Sequence, residues 1–221
     1  MDEVRLIEVK EGIFSENEEI ADRVRSDLRR QGVFMLNLMS SPGAGKTTLI
    51  LETIKVLDET LKLGVLEADI DAIVDAEKVA ATGVPAVQLR TGGFCHLDAT
   101  MVTQGLAALP LENLDAVIIE NVGNLVCPAE FDTGAHKNVM ILSVPEGDDK
   151  PLKYPLMFSI CDVILISKID SLSCFEFDFD LVKKRIRALN PKAVIFEVSA
   201  KTGAGISSWV EWLRSAVGDC T

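Results

Sequence analysis

The chain has 221 residues, 48% of them hydrophobic, and a formal net charge of −12 at pH 7. That length suits one α/β domain with a sizeable core, and the acidity argues against nucleic acid or an anionic membrane as a partner, since both demand a cationic surface. No apolar run reaches the roughly 18 residues of a membrane span, "MDEVRLIEVKEG" lacks the plan of a signal peptide, and five widely spaced cysteines do not read as a disulfide framework, so a reducing cytoplasm is expected.

In chain order, "SENEEIADRVRSDLRRQG" predicts an N-terminal helix over 15–31. Ser15 and Glu18 form a capping box, Ile20, Val24 and Leu28 share one face, and Gly32 ends the helix. Short continuous apolar runs then predict strands over 33–39, 63–69, 86–91, 115–121, 138–144, 162–168 and 192–198. Helical segments separate most of them, over 46–62, 74–82, 97–108, 150–159, 178–189 and 206–217. This alternation predicts a single α/β domain over 1–221, a mostly parallel sheet of about seven strands with helices on both faces. Ligands of such sheets bind at the carboxyl ends of the strands, where the motifs below fall.

"MSSPGAGKTT" (39–48) follows the first strand and opens the next helix. The backbone of Gly43, Ala44 and Gly45 can wrap a phosphate at the helix N-terminus, Lys46 can reach the β- and γ-phosphates, and Thr47, followed by Thr48, offers a hydroxyl for Mg²⁺. Ser40 stands where the pattern usually has glycine. "SKID" (167–170) follows a later strand. Asp170 can accept both N1–H and N2–H₂ of guanine, a donor pair that adenine lacks, with the Lys168 stem over the ring. In "VSAKTG", Ala200 and Lys201 can line the base pocket. Their order predicts GTP rather than ATP.

In "IIENVGN", Glu120 ends a strand where a carboxylate can hold Mg²⁺, and Gly123 can offer its N–H to the γ-phosphate. "EADIDAIVDAEK" supplies Asp69, Asp71 and Asp75. Asp69, at a strand end, is the strongest Mg²⁺ candidate, whereas Asp75 reads equally as a helix N-cap or a functional carboxylate. "GGFCHLDA" places Cys95 and His96 at the start of the predicted helix, which would favour the thiolate, and Cys127 lies seven residues after Glu120. Three such ligands suit Zn²⁺ or Ni²⁺ with one position open. His136 and Cys161 read as structural, and Cys174 and Cys220 as peripheral.

Together, "SSPGAGKTT", "TGGFCHLDA", "IENVGNLVCPAEFD", "EGDDKPLKYPLMF", "SKID" and "SAKTG" closely resemble the hydrogenase nickel-incorporation GTPases of the HypB type, and more distantly the urease accessory GTPases. The resemblance implies a P-loop GTPase of slow turnover that dimerises with GTP and helps deliver Ni²⁺ to the hydrogenase large-subunit precursor. It also implies a nickel- and zinc-binding accessory partner of the HypA type, and a Ni²⁺ or Zn²⁺ site at the dimer interface formed by Cys95, His96 and Cys127. Three positions depart from the family pattern. No cysteine precedes Cys95 and only two histidines occur, so the N-terminal nickel motif and the histidine-rich tract are not expected here; Ser167 replaces the usual Asn; and Ala68 replaces Gly before Asp69.

The joint reading is a switch. GTP and Mg²⁺ draw in the 120–123 segment, Cys127 moves with it, and hydrolysis releases both. Lys46, Glu120 and Asp75 are the residues expected to serve catalysis. Two other classes remain open at this point: a small-molecule kinase, which "SKID" disfavours, and a nucleotide-binding scaffold with a structural zinc.

Overall fold

A computed structural model describes residues 9–57, 60–69 and 74–220, with side chains from residue 14 onward. The strands are β1 (Phe34–Ser40), β2 (Leu63–Asp69), β3 (Ala86–Arg90), β4 (Ala116–Glu120), β5 (Lys137–Ser143), β6 (Val163–Ser167) and β7 (Val194–Glu197). They form one sheet in the order β3-β2-β4-β1-β5-β6-β7, with every pairing parallel. The α-helices are α1 (Val9–Gln31), α2 (Lys46–Leu57), α3 (Val74–Ala80), α4 (Ala99–Leu106), α5 (Cys127–Glu130), α6 (Lys150–Lys153), α7 (Pro155–Ile160), α8 (Phe179–Leu189) and α9 (Ile206–Gly218).

The inner strands β1, β4 and β6 are buried along their whole length, which is why they read as continuous apolar runs rather than alternating ones. On one face, α2, α3 and α9 bury Leu49, Ile50, Val79, Trp209 and Leu213 against Leu36, Leu38, Ile118 and Ile141. Trp209 is fully buried and its indole N–H donates to Thr53 Oγ1 at 3.0 Å, tying α9 to α2. On the other face, α1 and α4 cover β1, β2 and β4, while α7 and α8 cover β5 and β6.

Several predicted helices differ in extent. The capping box does not start α1: the helix begins at Val9, so Ser15 and Glu18 lie inside it, although Gly32 ends it as expected with φ +70°. The predicted helix over 46–62 stops at Leu57, and residues 58 and 59 lie outside those described. The segment over 150–159 is two helices. Pro155 denies the α conformation to Tyr154, which sits at φ −129°, ψ 54°, and the chain breaks there. Among the described residues, no helix is long and apolar enough to cross a membrane.

Connections from β1 run toward β2, and those from β4 run toward β5, so the chain reverses direction at the centre of the sheet. That reversal opens a crevice beyond the carboxyl ends of β1 and β4. All the motifs converge there.

Candidate functional site

The turn after β1 is built on two glycines in the left-handed region, Gly43 (φ 74°) and Gly45 (φ 105°), and α2 begins at once with Lys46. Ser40 is fully buried. Its hydroxyl donates to the Ser41 carbonyl at 2.7 Å and accepts from Lys46 Nζ at 3.4 Å, so the departure from glycine supplies a hold on the lysine. Thr47 Oγ1 donates to Glu120 Oε1 at 2.8 Å, linking the first turn of α2 to the end of β4. A cavity of about 490 Å³ opens here, lined by Gly43, Gly45, Lys46, Thr47, Thr48, Asp69, Asp75 and Gly123 among others.

Two further carboxyls stand side by side in its wall. Glu67 on β2 pairs in register with Glu120 on β4, and each is 3% exposed. Burial, followed by the neighbouring Glu120 carboxylate, raises the Glu67 pKa. Burial likewise raises Glu120, opposed by hydrogen bonds and by the Lys46 charge. One oxygen of each, Glu67 Oε2 and Glu120 Oε2, is buried without a hydrogen-bond partner. Ligand atoms of Glu67, Asp75 and Glu120 lie within 4.8 Å of one another. Asp75, in the first turn of α3, is also salt-bridged to Lys78 at 2.7 Å. Asp69 lines the same cavity, and Asp71 lies outside the described residues. Buried, unpaired carboxylate oxygens beside a threonine hydroxyl are a donor set that fits Mg²⁺.

The base motifs meet at the ends of β6 and β7. Ser199 Oγ donates to Asp170 Oδ1 at 2.6 Å, and Lys201 Nζ lies 3.9 Å from Asp170 Oδ2. Ala200 stands between these two residues in the chain. Lys168, held in the left-handed conformation at φ 59°, donates to the Gly43 carbonyl at 2.6 Å, and Ser167 Oγ donates to the Ala44 carbonyl at 3.1 Å. The "SKID" loop is therefore fastened to the phosphate loop from both residues.

The third cluster is Cys95, His96 and Cys127, whose ligand atoms also lie within 4.8 Å of one another. Cys95 Sγ is 3.0 Å from Cys127 Sγ and 3.9 Å from His96 Nδ1. The expected helix start at Cys95 is corrected here. α4 begins at Ala99, its N-terminus is capped by the Asp98 carboxylate, which accepts from Met101 N at 2.7 Å, and Cys95 precedes it in a loop. Instead Cys127 opens the single turn of α5. The hydrogen bond from Cys95, then burial, raises the Cys127 thiol, while burial lowers His96 and favours its neutral, metal-binding imidazole. His96 stacks on Phe131 at 3.9 Å between ring centroids, and Asn124 Nδ2 donates to the Cys95 carbonyl at 3.3 Å. Phe94 and Val126 flank the thiols at 57% and 51% exposure, an apolar rim around a polar centre.

The segment between these centres is short. A Cβ placed on Gly123 would meet Pro42 Cα at 2.9 Å, so the backbone there lies directly on the phosphate loop, and Cys127 follows four residues later. His136 is not part of the cluster. Its Nδ1 accepts from Met35 N at 2.9 Å. Cys161 is fully buried, Cys174 exposed and Cys220 half-buried.

Comparison with known proteins gives this arrangement a family. Residues 34–197 match the CobW/HypB/UreG nucleotide-binding domain. The hydrogenase maturation factor HypB of Escherichia coli K12 is 42% identical over 215 residues, covering 97% of this chain and 74% of that protein. The chain belongs to the HypB family. The hydrogenase/urease maturation factor HypB of Helicobacter pylori J99 is 41% identical over 211 residues, covering 94% of this chain and 86% of that protein. Among solved structures, Helicobacter pylori HypB in complex with nickel superposes with a TM-score of 0.89 at 39% identity, over 92% of this chain and 96% of that one. Archaeoglobus fulgidus HypB gives 0.86 at 37% identity, over 92% and 99%.

Two features of this HypB-family chain escaped the sequence reading. Glu67 lies two residues before Asp69 and so on the same strand face, and its pairing with Glu120 is set by register. Asn37, inside an apolar run, joins a buried side-chain ladder across three strands. Its Nδ2 donates to Asn138 Oδ1 at 3.1 Å, and Asn121 Nδ2 donates to Asn37 Oδ1 at 3.0 Å. Asn121 Oδ1 then accepts from Val122 N at 2.9 Å and anchors the root of the Gly123 segment.

Proposed function

We propose that the chain is a GTP-hydrolysing metallochaperone that binds nickel or zinc at Cys95, His96 and Cys127 and assists nickel insertion into the [NiFe]-hydrogenase large subunit. The observation that carries this reading is the 120–127 segment, which packs on the phosphate loop at Gly123 and ends at Cys127, in a cluster with Cys95 and His96 that could hold a metal ion. The names of the relatives above and the nickel in the Helicobacter pylori structure support it.

Gly43, Ala44, Gly45, Lys46, Thr47 and Thr48 would hold the phosphates, and Lys168, Asp170, Ala200 and Lys201 the guanine. Thr47 and Glu120, with Asp69 beside them, would hold Mg²⁺, which when bound supplies charge neutralisation at the phosphates. Lys46 then stabilises charge on the transferring group, and Asp75 orients the attacking water. No glutamine lines the cavity among the described residues, consistent with slow turnover. Gly123 N–H meets the γ-phosphate, and its retreat after hydrolysis loosens Cys127 from Cys95. The exposed Phe94 and Val126 suit burial in a GTP-state homodimer that encloses the metal, with a HypA-type protein and the large-subunit precursor as the exchange partners, all in the reducing cytoplasm. A urease-type target is the second reading, favoured by the joint name of the Helicobacter pylori relative.

Steady-state hydrolysis tests the enzyme half directly. GTP should be cleaved in preference to ATP, with the activity lost in Lys46→Ala. Equal cleavage of ATP, or activity that survives Lys46→Ala, overturns it.

A further inference from the structure

We infer that Asn17, on the N-terminal helix α1, is a positioning residue for the Cys95–His96–Cys127 cluster: its one amide fixes the spacing between the two loops that carry the ligands. Its bonds go to the backbone of those loops, and its role rests on the metal-site reading for what the cluster holds.

The three candidate ligands sit on two separate stretches of chain. Cys95 and His96 precede α4, which begins at Ala99, and Cys127 opens α5, with Asp132 five residues further on. Asn17 is 7% exposed and joins the two. Its Oδ1 accepts from Ala99 N at 2.9 Å, and its Nδ2 donates to the Asp132 carbonyl at 2.9 Å. Ala99 N is one of the N–H groups that the first turn of a helix leaves without an internal partner, and Asp98 takes another, that of Met101. Separate waters could satisfy such groups one at a time, but one planar amide bonded to both leaves the loops a single separation.

The rest of α1 acts on the same stretch. The Phe14 ring lies 5.0 Å from that of Phe131, which in turn stacks on His96 at 3.9 Å. Arg25 Nη2 donates to Asp132 Oδ2 at 2.6 Å, and its Nε donates to the Ala135 carbonyl at 3.1 Å. Across the cluster itself, Asn124 Nδ2 reaches the Cys95 carbonyl only at 3.3 Å. Cys127 therefore hangs between an end packed on the phosphate loop at Gly123 and an end pinned to α1 at Asp132. Groups outside a ligand set that fix its geometry change metal affinity about 10- to 100-fold.

The test is the Ni²⁺ affinity of the full-length chain with GDP under reducing conditions, by competition with a chromophoric chelator. The thiolate-to-Ni²⁺ charge-transfer absorbance is read alongside. Asn17→Ala should weaken Ni²⁺ binding about tenfold or more and diminish that band, with GDP affinity unchanged. Asn17→Asp keeps the volume and the acceptor for Ala99 N but cannot donate to the Asp132 carbonyl. It should show an intermediate loss, and it decides the question if Asn17→Ala does not fold. Trp209→Phe removes the hydrogen bond to Thr53 on the opposite face of the sheet from α1, so it should lower thermal stability and leave Ni²⁺ affinity at the parent value. Unchanged Ni²⁺ affinity in both Asn17 variants, or an equal loss in Trp209→Phe, overturns the inference while the metal-site reading stands. A parent chain that binds no Ni²⁺ removable by Cys127→Ala overturns that reading, and the inference with it.

Discussion

Gly123→Ala probes the contact through which the two centres are proposed to be coupled. The φ of Gly123 is outside the left-handed region, so alanine is opposed there by space rather than by backbone strain. Its Cβ would lie 2.9 Å from Pro42 Cα and Cγ and 3.0 Å from Pro42 N. Relaxed carbon contacts sit at about 3.5–4.0 Å, so the two backbones must part by about half an ångström or more. Overpacking of this kind costs about 1–3 kcal/mol. If the strain is relieved by the segment moving off the phosphate loop, the Gly123 N–H moves away from the γ-phosphate. Affinity for a non-hydrolysable GTP analogue should then fall about 5- to 150-fold, while GDP, which has no γ-phosphate, should lose about threefold or less by the same reasoning. Fluorescence titration with both nucleotides measures the difference, and thermal unfolding shows that the variant is folded. Equal losses for both nucleotides, or no loss for either, would refute the reasoning.

Other consequences follow from particular contacts. Ser167→Ala removes the hydrogen bond to the Ala44 carbonyl, so nucleotide should bind about fivefold more weakly, a loss of about 1 kcal/mol; unchanged affinity in the same titration would show that this bond does not hold the loop. His136 has its pKa lowered, first by burial and then by Arg29, and its Nδ1 accepts from Met35 N. The unfolded chain therefore takes up the proton more readily, and stability should fall as pH drops through the ordinary histidine value of about 6.5. Thermal midpoints between about pH 7.5 and 5.5 should show this slope in the metal-free chain and a shallower one in His136→Gln, with equal slopes counting against it.

The alternation of apolar runs and helical segments was enough to predict the parallel sheet, because strands buried on both faces read as continuous apolar runs. Gly32 and the Pro155 break show both sides of reading element ends. The glycine marked its helix end correctly, whereas Pro155 split a segment that composition alone ran together. That the phosphate-loop residues would line one cavity, and that Cys95, His96 and Cys127 would come together, was legible because those motifs sit at short spacings just beyond strand ends. Glu67 and Asn37 were not, because their roles depend on which strand lies beside which, and β2 neighbours β4 only through the crossover order of the sheet. The start of α4 was misplaced because Asp98 outcompetes the cysteine for the helix N-terminus, a local contest that apolar periodicity does not record.

The most direct measurement is Ni²⁺ and Zn²⁺ stoichiometry per chain, taken with molar mass by light scattering, in GDP and in a non-hydrolysable GTP analogue. The account predicts a dimer with the analogue, carrying metal that Cys95→Ala or Cys127→Ala removes, and weaker metal retention with GDP. Metal content and mass that are the same in both nucleotides would contradict it.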